Sequence, residues 1–282
     1  MNIRYTKMHG LGNDYLFIEG DKYPGVDWPE LSRRMSHRHL GAGSDGIILI
    51  LPGQATDFTM RMFNADGSEA ETCGNGIRCF AKYVFERGLT PKTDFIIETG
   101  GGPNRVVLAT SAGRVVSVRS NMGKPKFERA EIPMEGPAGR VLEEDLDVDG
   151  TTVKVTCANI GNPHAVVFVE DATKVPLAEI GPKIENHPKF PKRTNVEFVN
   201  VIDRQNIVMR IWERGSGITM ASGSGSCGAA LAAMITNRVD RRVYVHLVYG
   251  TLLIEWADDG FCYQEGPATE VYDGEWPMES ES

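Results

Sequence analysis

Cysteine is scarce in this sequence, and its distribution excludes the usual cysteine-based sites. The 282 residues contain five cysteines, and an odd number at irregular spacing does not form a disulfide framework. The sequence has no CxxC pair and no second Cys/His pair at ligand spacing, so a zinc site is excluded as well. We therefore expect no metal ligands, and we interpret a single cysteine by default as a small buried hydrophobic residue.

The sequence also lacks a long apolar run and an excess of positive charge. No stretch approaches the roughly 18 apolar residues of a membrane span, so no membrane partner is expected. Thirty Lys and Arg stand against 38 Asp and Glu, a formal net charge of -8, which disfavours nucleic-acid binding through a basic face. The first residues carry no apolar core and no cleavage site of a signal peptide, and we expect a cytoplasmic protein.

What is present is a globular composition with a strand-rich pattern. Hydrophobic residues make up 41% and charged residues 24%, which excludes a disordered or fibrous chain. Helical periodicity occurs in three segments, 29–37, 76–87 and 225–238, and the last two look apolar nearly all round, which predicts burial. Short β-type runs alternate with glycine-rich turns at 15–19, 46–51, 58–63, 95–99, 105–108, 115–120, 165–169, 196–201, 207–212, 243–247 and 251–256. The predicted class is α+β, with more strand than helix.

An internal repeat is the most informative feature of the sequence. Met60 lies in a predicted strand and Cys73 opens a Cys-Gly-x-Gly turn thirteen residues later; Met209 and Ser222 repeat this arrangement 149 positions further on. The same offset relates Gly12-Asn13 to Gly161-Asn162. We therefore predict two domains of the same fold, residues 1–120 together with the tail 265–282, and residues 121–264. If the two halves pack together, their corresponding loops can meet at a junction, a usual place for a small-molecule site.

The repeated turn has a definite chemistry. Glycines in the pattern X-Gly-x-Gly let backbone N–H groups approach a ligand closely, and a helix N-terminus favours negative charge. Two such helix ends can hold one carboxylate and stabilise negative charge that develops beside it. Cys73 at the first turn is expected to have a lowered pKa, because helix N-termini stabilise thiolates.

Two proton-carrying groups at equivalent turns favour inversion of a carbon centre. One group takes a proton from one face of the bound ligand, and the other returns a proton to the opposite face. No cofactor is needed if the helix ends stabilise the carbanion-like transition state. The sequence therefore predicts a cofactor-independent isomerase whose two groups, Cys73 and Ser222, face each other across one pocket.

Several segments, in order and over nearly the whole chain, resemble the diaminopimelate epimerase family. They are 7–15 (KMHGLGNDY), 63–68 (FNADGS), 73–79 (CGNGIRC), 161–164 (GNPH), 194–198 (TNVEF) and 212–217 (WERGSG). The resemblance implies two α+β domains, each a mostly antiparallel β-sheet wrapped around a central α-helix. It also implies a homodimer and a cofactor-independent enzyme of lysine and peptidoglycan-precursor biosynthesis that interconverts LL- and meso-diaminopimelate.

The resemblance also assigns the site residues. The catalytic set is Cys73, Ser222 at the place of the family's second cysteine, and His164 and Glu213, which would tune these two groups. The substrate-binding set is Asn13, Asn64, Gly74, Asn75, Asn162, Asn195, Glu213, Arg214, Gly223 and Ser224. Neutral amides, one arginine and one acid suit a zwitterionic substrate with a second amino-acid head.

The sequence departs from the family pattern at two positions. The family motif ERGxGxTxACGxG carries a second catalytic cysteine, but this chain has Ser222 there, and Cys227 is five residues further on. Either a deliberate replacement or a natural variant of altered activity explains the serine, and we expect impaired inversion. Some members carry a substrate-contacting glutamine after the aspartate where this chain has Asp45-Gly46, which puts one polar contact in doubt.

Three alternatives remain open at this point. The first is another amino-acid racemase, or a dehydratase, of the same fold, which would lack the pocket for a second head group. The second is a non-catalytic binding protein for zwitterionic amino acids, supported only by Ser222. The third is a pyridoxal phosphate enzyme, and it is weaker because no phosphate-site motif with a lysine is evident.

Overall fold

The computed structural model describes residues 2–71 and 73–278. It divides into two compact units, the first comprising the chain up to Ser120 together with the part from Gly266 onward, and the second Asn121–Glu265. The last four residues of the predicted tail lie outside the described residues. Among the helices of the described chain, none combines the length and apolar character of a membrane span.

The strands outnumber the helices in both units. The first unit contains β1 (Asn2–Gly10), β2 (Asn13–Glu19), β3 (Gly46–Pro52), β4 (Phe58–Asn64), β5 (Glu69–Ala70), β6 (Asp94–Thr99), β7 (Gly102–Ser111), β8 (Arg114–Gly123) and β18 (Thr269–Pro277), with helices α1 (Trp28–Ser36) and α2 (Gly74–Glu86). The second contains β9 (Glu144–Val148), β10 (Thr151–Asn159), β11 (Pro163–Phe168), β12 (Asn195–Asp203), β13 (Asn206–Glu213), β14 (Gly217–Thr219), β15 (Arg242–Leu247), β16 (Gly250–Trp256) and β17 (Cys262–Gly266), with α3 (Leu177–Glu185) and α4 (Gly223–Ile235).

The strands of each unit are paired in the same sequence of parallel and antiparallel steps. In the first unit β1 and β2 are antiparallel, β2 and β3 parallel, β3 and β4 antiparallel, and β4 continues to β6 in parallel, followed by antiparallel β7 and β8. In the second unit β10, β11, β12, β13, β15, β16 and β17 repeat these steps in order. Short β5 and β14 are antiparallel to β4 and β13. The fold is α+β, with two pseudo-symmetric, mostly antiparallel units.

The sheet of each unit packs against two helices. Helix α2 packs against β1, β2, β3 and β7, and α4 packs against β10, β11, β12 and β16. A core around Phe17, Ile48 and Phe80 joins α2 to its sheet, whereas Leu31 and Met35 of α1 pack on the other face. Ten alanine, glycine and other small or apolar residues in succession make α4 buried almost throughout. A helix of this length is only marginally stable when isolated in water, and burial within the unit supplies its stability.

The structure confirms all eleven predicted strands and all three predicted helices, with ends moved by a few residues. It adds one helix that periodicity missed, α3, which contains Pro182 in its interior. A proline inside a helical sequence pattern usually indicates that the helix is interrupted there, because proline cannot donate the backbone hydrogen bond. The repeat offset of 149 gives the signal that was overlooked, because it carries the bounds of α1, 28–36, onto those of α3, 177–185.

Candidate active site

The first half of the candidate site is built at the N-terminus of α2. Cys73 is the N-cap residue, with extended backbone (φ −146°, ψ 115°), and its Sγ accepts a hydrogen bond from the Gly76 N–H at 3.4 Å. Position 76 is crowded, because a Cβ there would lie 2.6 Å from Ile48 Cδ1 and would force that side chain to move. The two glycines of this turn, Gly74 and Gly76, let it approach β3, and the N–H groups of a helix N-terminus can bind an anion.

The second half repeats this arrangement at the N-terminus of α4. Ser222 is the N-cap residue (φ −136°, ψ 124°), and its Oγ accepts from the Gly225 N–H at 3.1 Å. Its hydroxyl donates to Glu213 Oε2 at 3.2 Å, while Thr219 donates to the other carboxylate oxygen. Glu213 therefore holds the hydroxyl of Ser222 in one direction. Within its own unit, Ser222 occupies the place that Cys73 occupies in the other.

The thiol of Cys73 lies in a cluster of amides. It donates to Asn13 Oδ1 at 3.4 Å, and the same oxygen accepts from Asn75 Nδ2 at 3.1 Å. Asn13 Nδ2 in turn donates to Asp45 Oδ2 at 2.7 Å. The structure thus brings Cys73, Asn13 and Asn75, three residues of the predicted site, into direct contact.

The expected lowering of the Cys73 pKa is wrong for this structure. Burial raises the pKa of the thiol, while the N–H of Gly76, the hydroxyl of Tyr15 and the N–H of Asn75 only partly oppose that effect. Removing a thiolate from water costs more than these neutral donors return. The sequence showed the helix end but could not show that the fold partly buries this side chain.

Asn162 and His164 approach the second helix end together. His164 Nε2 lies 2.8 Å from Asn162 Oδ1, and Asn162 Nδ2 donates to Ser224 Oγ at 3.3 Å. The other ring nitrogen of His164 lies 2.7 Å from Glu197 Oε1, and both of these side chains are completely buried. His164 is thus held at both nitrogens and links Asn162 to a buried carboxyl group.

The sequence reasoning did not single out Glu197 as a site residue. Burial raises the pKa of its carboxyl group, although His164 opposes the shift. Within the described residues its Oε2 has no hydrogen-bond partner. Burial of a carboxylate is costly, and one oxygen of this group lacks a donor in the described part of the chain, so burial shifts the equilibrium of Glu197 toward the neutral acid. A signal was present in the sequence, because an acidic residue stands inside the apolar predicted strand 196–201.

Three other predicted residues lie at neighbouring strand ends of the second unit: Asn195 begins β12, Glu213 ends β13, and Arg214 follows it. Asn195 Nδ2 donates to the carbonyl oxygen of Pro163 at 2.9 Å, and Asn195 Oδ1 accepts from the Arg214 N–H at 3.0 Å. Arg214 also donates through Nη1 to the carbonyl of Lys192 at 3.1 Å. These contacts bind the start of β12 to the end of β13, so the structure brings Asn195, Glu213 and Arg214 to one place.

Three further predicted residues are Asn64, Gly74 and Gly223, of which the two glycines directly follow the N-cap residues Cys73 and Ser222. Asn64 ends β4, and its Nδ2 donates to Ser68 Oγ at 3.0 Å within a turn of its own. Gly74 and Gly223 begin α2 and α4, and a Cβ on Gly223 would lie 2.7 Å from Gln264 Oε1. Among the described residues, no group of three or more His, Cys, Asp and Glu side chains is placed to hold a metal ion.

Gly46 occupies a position where a side chain does not fit. Its φ is +157°, and a Cβ there would lie 2.1 Å from the Phe63 carbonyl oxygen. We expect Gly46→Gln to lower the free energy of unfolding by about 1–3 kcal/mol, the usual cost of overpacking, measured by urea denaturation. Gly113→Gln is the matched control, because Gly113 also has a positive φ but a Cβ there would have no other atom within 4 Å. Equal losses in the two variants would show that the contact with Phe63 is unimportant.

The repeated α+β unit with its central helix defines a fold shared by amino-acid racemases and epimerases. A probable proline racemase from Agrobacterium radiobacter superposes with a TM-score of 0.72 at 16% identity, covering 98% of this chain and 93% of the other. A hydroxyproline epimerase from Agrobacterium vitis gives 0.69 at 17% identity, covering 99% and 94%. At this level of identity the likeness shows the fold alone.

The chain belongs to the diaminopimelate epimerase family. The family model described as diaminopimelate epimerase matches residues 5–128 and 156–271. A relative of that name from Moorella thermoacetica is 49% identical over 280 residues, covering 98% of this chain and 100% of its own. Another from Methanococcus maripaludis is 44% identical over 274 residues, covering 97% and 99%. The matches extend over both units.

Proposed function

We propose that the protein is an isomerase that interconverts LL- and meso-diaminopimelate without a cofactor. The observation that carries the proposal is the pair of matched helix N-caps, Cys73 and Ser222, each with its side chain hydrogen-bonded to the third N–H of its helix. Membership of the diaminopimelate epimerase family supports the choice of substrate.

The proposed reaction moves two protons and leaves every other bond intact. A base on one face removes the α-proton, and the electron pair of the broken C–H bond stays on carbon. An acid on the opposite face then donates its proton to that carbon, forming a new C–H bond of inverted configuration. The N–H groups of the helix ends, beside Gly74 and Gly223, would bind the α-carboxylate and stabilise its growing negative charge.

Polar residues around the helix ends would recognise the substrate. We assign Asn13, Asn75, Asn162 and Ser224 to the reacting amino-acid head, because they surround the N-caps. The far head would be bound by Asn64, Asn195, Glu213 and Arg214, which supply amides, one acid for an ammonium group and one guanidinium for a carboxylate. Glu213 would serve twice, since it also orients Ser222.

Ser222, in place of the family's second cysteine, lowers the rate of inversion that we expect. A hydroxyl is a far weaker acid than a thiol, and its conjugate base is correspondingly hard to form at neutral pH. Binding depends on amides, Arg214 and backbone N–H groups, so it should be preserved. We therefore propose a protein that binds diaminopimelate normally but inverts it slowly.

We extend the proposal to a cytoplasmic homodimer, as the family resemblance implies. Light scattering of the purified protein should give the mass of two chains at micromolar concentration. A mass of one chain that persists at high concentration would remove the dimer from the proposal without touching the chemistry.

Hydrogen exchange at the α-carbon tests the proposed function. LL- and meso-diaminopimelate are incubated with the protein in heavy water, and deuterium uptake and chirality are analysed separately. Deuterium should enter diaminopimelate and should not enter proline, which has only one amino-acid head. Exchange into proline alone would favour a one-headed racemase of the same fold, and exchange into neither would favour a binding protein.

A further inference from the structure

Four polar side chains of the first unit form a continuous hydrogen-bonded chain that passes beside Cys73. Arg78 Nη2 donates to Asn75 Oδ1 at 2.8 Å, and Asn75 Nδ2 donates to Asn13 Oδ1 at 3.1 Å. Asn13 Nδ2 then donates to Asp45 Oδ2 at 2.7 Å. Arg78 is fully buried and also donates to the carbonyl oxygens of Pro267 and Gly74.

The two ends of this chain fix its direction. A guanidinium group can only donate, so the amide oxygen of Asn75 must face Arg78. Asp45 accepts hydrogen bonds from the Asp14 N–H at 3.1 Å and from Arg38 at 2.7 Å, in addition to Asn13. A carboxylate surrounded by donors acts only as an acceptor, so the NH2 group of Asn13 must face it. Neither amide can turn over without placing like groups against each other.

The fixed direction determines what Cys73 meets. The atom of Asn13 that lies 3.4 Å from Sγ is its oxygen, which can only accept. A thiol satisfies this oxygen by donating its proton, whereas a thiolate would face a lone pair. Hydrogen bonding to the neutral form disfavours the charged form.

The second unit lacks the charged ends of this chain. At the offset of 149, the positions equivalent to Asp45, Arg78 and Asn75 are occupied by Thr194, Cys227 and Ser224. Asn162, the counterpart of Asn13, lies between His164 and Ser224. An imidazole and a hydroxyl can each donate or accept. The amide of the second unit can therefore reverse, while that of the first unit cannot.

We propose that Asp45 and Arg78 are positioning residues that hold the Asn13 amide in one orientation and keep Cys73 protonated, so that Cys73 is the proton donor of the resting protein. The assignment of a donor rests on the proposed function, but the protonation of the sulfur does not. In turnover, the S–H bond of Cys73 would break as its proton passes to the α-carbon, leaving a thiolate. Before it could act as a base, Cys73 would first have to release that proton to water.

The other ionisable groups that act on Cys73 do not account for this arrangement. Tyr15 of β2 contacts the sulfur, and burial holds its pKa well above the usual range, so that it stays neutral. Arg78 and Cys79 act from α2 itself; Arg78 favours the thiolate, while burial keeps Cys79 neutral. Against the attraction of Arg78, the oriented amide of Asn13 supplies a specific acceptor for the thiol proton.

Titration of the thiol tests the proposal without measuring activity. The thiolate absorbance of the protein, minus that of Cys73→Ser, is followed against pH, and the rate of alkylation of Cys73 is measured in parallel. Asp45→Asn removes the charged acceptor of the Asn13 NH2 group, so that Asn75 alone still orients this amide and its oxygen is held less firmly toward the sulfur. We expect the Cys73 pKa to fall by about one unit, a tenfold larger thiolate fraction below the pKa.

Asp14→Asn is the matched control, because Asp14 shares Arg38 with Asp45 but makes no hydrogen bond to the Asn13 side chain. Equal shifts in both variants would overturn the proposal and leave only an effect of charge, and no shift in Asp45→Asn would overturn it as well. If Asp45→Asn does not fold, the infrared S–H band of the unaltered protein decides. A band at neutral pH that disappears in Cys73→Ser supports the proposal, and its absence overturns it.

These readouts separate the proposal from the proposed function. A protein without any exchange of diaminopimelate could still show the protonated thiol and its dependence on Asp45. Conversely, an active protein whose Cys73 is a thiolate at neutral pH would retain its function and lose this account of the resting state.

Discussion

Replacing Ser222 with cysteine is expected to raise the rate of inversion of diaminopimelate by at least about a hundredfold. A positioned acid–base group typically contributes on the order of 10²–10⁴ in rate, and a serine hydroxyl supplies little of that. The change is nearly isosteric, and the N-cap bond from Gly225 can be made to sulfur, as Gly76 shows with Cys73. Glu213, which accepts from Ser222, would remain in place.

Rates are measured by chiral analysis at saturating substrate, and affinity is measured separately by calorimetry. The affinity should change little, because the proposed binding groups are untouched. Ser226→Cys is the matched control, since Ser226 lies one turn further along α4 and is buried; a thiol there should bring no gain. Comparable rates in the serine and Ser222→Cys forms would mean that the second base is another residue, with His164 the first candidate.

The internal repeat allowed the fold to be predicted from the sequence, because both halves have the same glycine-rich turns and the same strand-to-helix spacing. Local periodicity did not predict helix α3, because Pro182 interrupts its helical pattern. The repeat does indicate it, since α3 lies 149 positions after α1. Local periodicity is a weak signal for a nine-residue helix, whose stability comes mainly from packing against its sheet. Comparing the two halves element by element supplies the information that periodicity lacks.

For the candidate site, the sequence predicts only which residues take part. The motifs place Asn13 in one segment of the chain and Cys73 and Asn75 in another, and the structure brings them into contact. The direction of the amides, and the parts played by Asp45 and Glu197, depend on neighbours that only the folded chain brings together. The expectation that the pKa of Cys73 falls is wrong for the same reason, because the partial burial that raises it is a property of the fold.

In the chain as it stands, exchange of the α-proton is expected to depend on Cys73 and to favour one of the two epimers. Cys73 carries the one thiol among the two N-cap residues, and a single group reaches one face of a carbon. Deuterium should therefore enter one epimer much faster than the other, and little inversion should accompany it. The rate should rise with pH, because the thiolate is the base and burial raises the pKa of Cys73.

Cys73→Ser should lower this exchange by on the order of 10²–10⁴, since the only thiol of the two N-caps is lost. Cys79→Ala is the matched control: it removes the cysteine that lies within α2, whose pKa burial raises to about 12, so that its thiol stays protonated. Exchange in heavy water is followed by mass spectrometry for each epimer over a range of pH. Equal exchange of both epimers that survives Cys73→Ser would assign the proton transfer to a different group, and a rate that falls as pH rises would show that Cys73 acts on the substrate only as an acid.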